Sequence, residues 1–162
     1  MLSIVLFLLP LTGNSQNKNA RNVENDILQI RHEYQRINSL KLTKKQFTWS
    51  CEATGTITYY LHNEQILKTI EEGAIGDGSW VIENYYQSGR IIFIYEVTTV
   101  SIGSNPDTHT EERTYVLNDK VIKHMNGQKV TQCKVCGFNT SSKEYKLLSA
   151  YSTKNFKNAL CN

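Results

Sequence analysis

The chain has 162 residues, 40% hydrophobic and 20% charged, and its 18 Lys and Arg against 15 Asp and Glu leave a formal net charge of +3. That balance excludes a charge-dominated disordered tail, and it is too slight and too dispersed to mark a nucleic-acid surface; Lys41, Lys44 and Lys45 read as a solvated connection. Beyond the first residues no apolar run approaches the ~18 residues that a membrane span requires.

Residues 1–15 (MLSIVLFLLPLTGNS) are apolar and end in small residues, too short for an anchor but suited to a secretory signal. Gly13 and Ser15 are the small side chains a signal peptidase needs, so cleavage is expected after Ser15, with a periplasmic or extracellular destination. Leu9-Pro-Leu-Thr-Gly13 spells a sortase-type signal, but it lies inside the leader and not before a C-terminal apolar tail. No cysteine follows the apolar run, which argues against a lipid anchor. Residues 16–162, about 147 residues, are enough for one α+β domain with its own core.

Residues 16–21 are polar and read as a frayed lead-in. From Asn22, a potential cap, Val23, Ile27, Ile30, Tyr34 and Ile37 draw one apolar stripe at helical spacing. The prediction is an amphipathic helix over 22–39 that lies on a sheet.

Residues 46–126 are rich in Tyr, Ile, Val and Thr and are interrupted by turn signals. They contain a quiet repeat. Tyr60, Tyr85 and Tyr115 each precede, by six residues, an aliphatic pair: Ile66-Leu67, Ile91-Ile92 and Val121-Ile122. Between them lie the turn pairs Asn63-Glu64, Ser88-Gly89 and Asn118-Asp119, which predict three successive hairpins, about six strands, with an extra strand possible at 46–53. A regular register about Ser88-Gly89 opposes Tyr86 to Ile91, Asn84 to Phe93, Ile82 to Tyr95 and Trp80 to Val97 on an apolar face suited to the N-terminal helix. The other face then carries the three tyrosines with Leu67, Ile92 and Ile122, and the same register sets Arg113 against His124 there. Segments 73–78 and 103–110 read as loops.

The cysteine-containing tail, 127–162, has a helical pattern over 141–156 through Tyr145, Leu148, Tyr151 and Phe156, with Ser141 or Ser142 as cap. In an exported protein the four cysteines, Cys51, Cys133, Cys136 and Cys161, imply two disulfides with three possible connectivities. Pairing Cys161 with Cys136 would require the ends of a helix roughly 24 Å long to fold back. Cys51 joined to either member of the pair would close a loop of about 80 residues. A redox role for Cys133-Lys-Val-Cys136 lacks the βαβ context, and a zinc site would need reduced thiolates outside the cytoplasm. No cofactor or metal is expected.

None of His32, His62, His109 and His124 pairs with another at metal-ligand spacing, and no nucleophile elbow, P-loop or dinucleotide fingerprint occurs. Asn139-Thr-Ser141 is a formal glycosylation sequon, relevant only in a eukaryotic source. The candidate binding residues are Tyr60, Tyr85 and Tyr115, with Glu83 and Arg113 positioned to pair across hairpins and His124 beside them. A tyrosine-rich sheet face suits a protein or flat small ligand, because Tyr gives rigid amphipathic contact. The expected function is an envelope binding protein, an inhibitor or sequestering module. The alternative is a small periplasmic hydrolase or metal-dependent enzyme that uses acidic residues near Asp77 and Glu83 with His124.

The segment Glu83–Glu96 (ENYYQSGRIIFIYE), followed by Glu111-Glu-Arg-Thr-Tyr115 and Asn118-Asp-Lys-Val-Ile-Lys123, resembles a pattern in small exported α+β proteins of uncharacterised function. The leader ending in Ser-Gln is similar to those common in Bacteroidota-type bacteria. The resemblance covers about residues 22–126 and implies a helix before an antiparallel sheet, with no activity to transfer. The expected fold is α+β: an N-terminal amphipathic helix on a curved antiparallel meander of about six strands, followed by a C-terminal helical segment.

Overall fold

The computed structural model describes residues 15–103 and 106–161. The predicted signal therefore lies, except for Ser15, outside the described residues, as does the sortase-like run. Helix α1 (Ser15–Ser39) opens the described chain and is followed by β1 (Thr43–Ser50), β2 (Thr54–His62), β3 (Gln65–Ile75), β4 (Gly78–Gln87), β5 (Arg90–Val100), β6 (Thr108–Leu117), β7 (Lys120–Asn126) and β8 (Lys129–Val130). Helices α2 (Lys143–Thr153) and α3 (Phe156–Leu160) complete it. The strands form one antiparallel sheet in chain order, β1 to β8. Residues 16–21 are helical instead of frayed, and Asn22 is an interior helical residue instead of a cap, because the segment holds no Pro or Gly to stop the helix.

The three hairpins form at the predicted turn pairs. Each turn residue has positive φ, from 49° at Asn63 to 75° at Gly89, the left-handed geometry whose twist matches paired strands. The predicted loop 73–78 is shorter: strand pairing continues to Ile75 and resumes at Gly78, which leaves a Gly76-Asp77 turn. Gly73 stays in the strand because the Trp80 ring lies over it. A Cβ there would meet Trp80 Cζ2 at 2.3 Å. In the neighbouring strand β2, Gly55 sits likewise beside Trp49, so one cross-strand row reads Trp49, Gly55, Gly73, Trp80.

The internal repeat is a repeated bulge. Tyr60 pairs with Lys68 while Leu61 pairs with Ile66; Tyr85 pairs with Phe93 while Tyr86 pairs with Ile91; Tyr115 pairs with Lys123 while Val116 pairs with Val121. Leu67, Ile92 and Ile122 are the extra residues, one in each hairpin. The regular register therefore fails one pair beyond the turn: Asn84 opposes Ile94, Ile82 opposes Glu96 and Trp80 opposes Thr98. Because side chains alternate, this one-residue shift moves Phe93 to the Tyr85 face and His124 to the opposite one.

The shift also decides which helix covers which face. Helix α1 packs Ile27, Ile30 and Ile37 on Leu67, Tyr85, Ile92, Phe93 and Tyr115, the tyrosine face and not the Tyr86 face expected for it. The Tyr86 face receives α2 and α3: Leu147, Ala150 and Ala159 pack on Trp49, Ile57, Tyr59 and Leu61, and Tyr145 and Leu148 pack on Tyr86, Ile91 and Val116. The Tyr59 hydroxyl donates to Leu147 O at 2.8 Å and that of Tyr86 to Glu144 O at 3.0 Å, which ties α2 to the sheet through buried backbone acceptors. Ser142, one of the two caps expected, stands at the N-cap position of α2 without a capping hydrogen bond from its side chain, and the helix expected over 141–156 ends at Thr153, before the separate α3.

The cysteines pair as Cys51–Cys161 and Cys133–Cys136. The first fastens the end of α3 to the chain just after β1. The second closes a small ring in the tail, which then lies along β7: Thr131 N donates to His124 O at 3.0 Å and Val121 N to Cys136 O at 3.1 Å. That sheet edge is thus covered, while β1 at the other edge carries exposed Lys44 and Lys45. Among the described residues no helix is long and apolar enough to cross a membrane.

Candidate functional site

Helix α1 covers only the turn end of its sheet face, and a groove follows its flank. The floor rows run across the strands. One holds Tyr60, Lys68, Tyr85, Phe93 and Tyr115 in consecutive register, and the next holds Ile70, Glu83, Tyr95 and Arg113. The helix supplies Arg31, Tyr34, Gln35 and Asn38, which follow one another along its flank at helical spacing.

At one end the groove deepens into a cavity of about 370 Å³ bounded by Arg31, Tyr34, Phe93, Tyr95, Arg113 and Tyr115. The rings form a tilted array, with centroids 5.4 Å apart for Tyr34 and Phe93 and 5.0 Å for Phe93 and Tyr115. The Arg31 guanidinium stands 5.6 Å over the Tyr115 ring, and its Nε donates to the Tyr115 hydroxyl at 3.3 Å. Among the described residues Arg31 makes no ion pair. Arg113 is paired with Glu111 and donates to Gly127 O at 3.3 Å. Burial, and then the hydrogen bond to Glu111, raise the Tyr95 phenol, so it stays a protonated donor.

The other end is a closed polar network. Lys68 Nζ lies 2.7 Å from Glu83 Oε2 and donates to Asn38 Oδ1 at 3.3 Å. The Tyr85 hydroxyl donates to Glu83 and accepts from Asn38 Nδ2. Lys68 also lies 4.8 Å over the Tyr85 ring and 5.6 Å over that of Tyr60. Burial, then Glu83, push the Tyr85 phenol far above its ordinary value. This end holds α1 to the sheet, and the Lys68 and Glu83 charges are paired with each other.

The residues singled out in the sequence divide accordingly. Tyr60, Tyr85, Tyr115, Glu83 and Arg113 share the α1 face, but Tyr85 and Tyr115 are core residues, 0% and 4% exposed. Glu83 and Arg113 occupy one row with Tyr95 between them and pair elsewhere, with Lys68 and Glu111. His124 lies on the opposite face against Thr114, their Nδ1 and Oγ1 atoms 2.9 Å apart. Arg31, Tyr34, Lys68 and Tyr95 were not singled out as site residues. The flank spacing of Arg31, Gln35 and Asn38 beside the apolar stripe was the signal available in the sequence. Among the described residues no group of three or more His, Cys, Asp or Glu side chains is arranged to hold a metal ion. No known protein family, curated protein or solved structure matches the chain.

Proposed function

We propose that the protein is exported to the cell envelope and acts there as a non-enzymatic binding protein, holding a carboxylate-bearing ligand with a flat apolar body in the groove beside α1. The observation that carries this reading is the cavity at the Arg31 end. It has the size of a small-ligand site, four aromatic rings, and a guanidinium without a carboxylate partner among the described residues. The rings would take the flat body and Arg31 the carboxylate, with Arg113 exchanging Glu111 for the incoming anion. An acidic segment of a partner protein would meet the same chemistry and be sequestered by it. The two disulfides and the secretory leader expected at residues 1–15 support the envelope address. Glu83 and His124, two of the groups expected of a hydrolase, stand on opposite faces of the sheet, so the binding reading is carried forward.

Calorimetric titration of the disulfide-bonded protein with indole-3-acetate and with indole-3-acetamide tests it, because the two probes share a ring and a shape and differ in charge. The acetate should bind, the neutral acetamide should not, and Arg31→Gln should weaken the acetate about tenfold or more. Equal affinity for the two probes, or binding indifferent to Arg31→Gln, would remove the groove from consideration. Affinity capture from native envelope with wild-type and Arg31→Gln bait distinguishes a protein source of the carboxylate from a free one.

A further inference from the structure

The face under α2 holds a second cleft, of about 350 Å³, whose chemistry is the reverse of the groove. Glu96 and Glu112 stand directly opposite each other on β5 and β6, and Glu144 enters from the first turn of α2. All three line the cavity. Like charges placed opposite each other destabilise a sheet, and here they are also partly withdrawn from water. Glu112 has counter-charge nearby, with Lys134 Nζ at 3.6 Å and His124 Nε2 at 3.9 Å. Lys143, at the rim, is committed to Glu71 at 2.7 Å. Among the described residues Glu96 and Glu144 make no ion pair, and Glu96 receives a long hydrogen bond from Thr98 at 3.5 Å. Burial raises both carboxyls above the ordinary glutamate value.

A separate observation points to a missing donor. Asn84, 2% exposed, lines the same cavity; its Nδ2 donates to Thr69 Oγ1 at 3.2 Å, while its Oδ1 has no hydrogen-bond partner. Buried acceptors in folded proteins are nearly always satisfied. One buried acceptor of the cleft, Asn84 Oδ1, therefore lacks a donor, and beside it the Glu96 and Glu144 carboxylates lack an ion-pair partner among the described residues. Ile94 and Phe138 give the cleft an apolar wall.

We propose that this cleft binds an aliphatic primary amine, its ammonium group shared by Glu96, Glu144 and Asn84 and its hydrocarbon body against Ile94 and Phe138. An ammonium presents three donors and no acceptor, one for Asn84 Oδ1 and one for each carboxylate. The same group supplies the ion-pair partner that Glu96 and Glu144 do not have among the described residues.

The test is calorimetric titration of the disulfide-bonded protein with n-pentylamine, n-pentanol and calcium chloride. Pentylamine should bind and pentanol should not. Glu96→Gln and Glu144→Gln should each weaken pentylamine about tenfold or more, while Glu72→Gln, on the other face, leaves it unchanged. Circular dichroism of each variant confirms that it is folded. No heat from pentylamine at millimolar concentration, pentanol binding as tightly as the amine, or calcium displacing the amine would overturn the proposal. Because the groove beside α1 is probed with an anion, either site can fail without the other.

Discussion

Removal of the Cys51–Cys161 bridge, by Cys51→Ser together with Cys161→Ser, should cost far more stability than removal of Cys133–Cys136 by the matching pair of substitutions. The two bridges span 110 and 3 residues of sequence. In the chain-entropy relation the longer loop is worth about 4.8 kcal/mol at 25 °C and the short ring about 2 kcal/mol. For a chain of this size the longer bridge corresponds to about 10–20 °C in Tm. Packing adds to the difference, because α3 has five residues and its buried Ala159 and adjoining Phe156 and Leu160 rest on the β1–β2 corner beside Cys51. Urea unfolding of wild type and the two double variants at 25 °C measures the stabilities, and hydrogen exchange of amides 156–160 reads the local effect. Equal losses for the two variants, or unchanged exchange in α3, would refute the reasoning.

Gly73→Ala places a methyl group 2.3 Å from Trp80 Cζ2, so the indole must leave Gly73 and weaken its 2.9 Å hydrogen bond to Glu71. A loss of about 1–3 kcal/mol is expected, with red-shifted tryptophan emission; unchanged emission and Tm would contradict it. Glu64→Gly relieves a non-glycine residue at φ 65° and should gain about 0.5–1 kcal/mol in urea unfolding, whereas a loss would mean that the side chain contributes to the turn. The Glu96 carboxyl is raised by burial and then by Glu112, so it holds its proton more tightly in the folded chain. Its stabilising contribution is present in acid and is lost as pH rises from the ordinary glutamate value through the raised one. Glu96→Gln should therefore be more stable than wild type at about pH 7 and equal to it at about pH 4, and a wild type that gains on the variant with rising pH would invert the sign.

Local features of the chain carry its local structure. The stripe Val23 to Ile37 predicted a helix because 3.6-residue periodicity is a property of the segment itself. Asn63-Glu64, Ser88-Gly89 and Asn118-Asp119 predicted the hairpin turns because left-handed backbone is a choice made within two residues. Of the candidate residues, the common face of Tyr85, Tyr115, Glu83 and Arg113 was legible, but its cover by α1 and the place of His124 on the opposite face were not. Arg31 and Tyr95 become neighbours only when α1 lies across β5 and β6.

The amino-acid sequence alone thus determined the N-terminal helix, the three hairpin turns, the α+β class and the even cysteine count, whereas the eighth strand and α3 form only on the folded sheet. Tertiary structure decided which face each side chain occupies, which helix covers it and which cysteines meet. The physical reason is parity. One extra residue, Leu67, Ile92 or Ile122, leaves the local pattern of a strand intact yet exchanges its two faces beyond the bulge. That exchange placed Phe93 beneath α1 and His124 on the far side of the sheet, and so separated an arginine-lined groove from an acidic cleft.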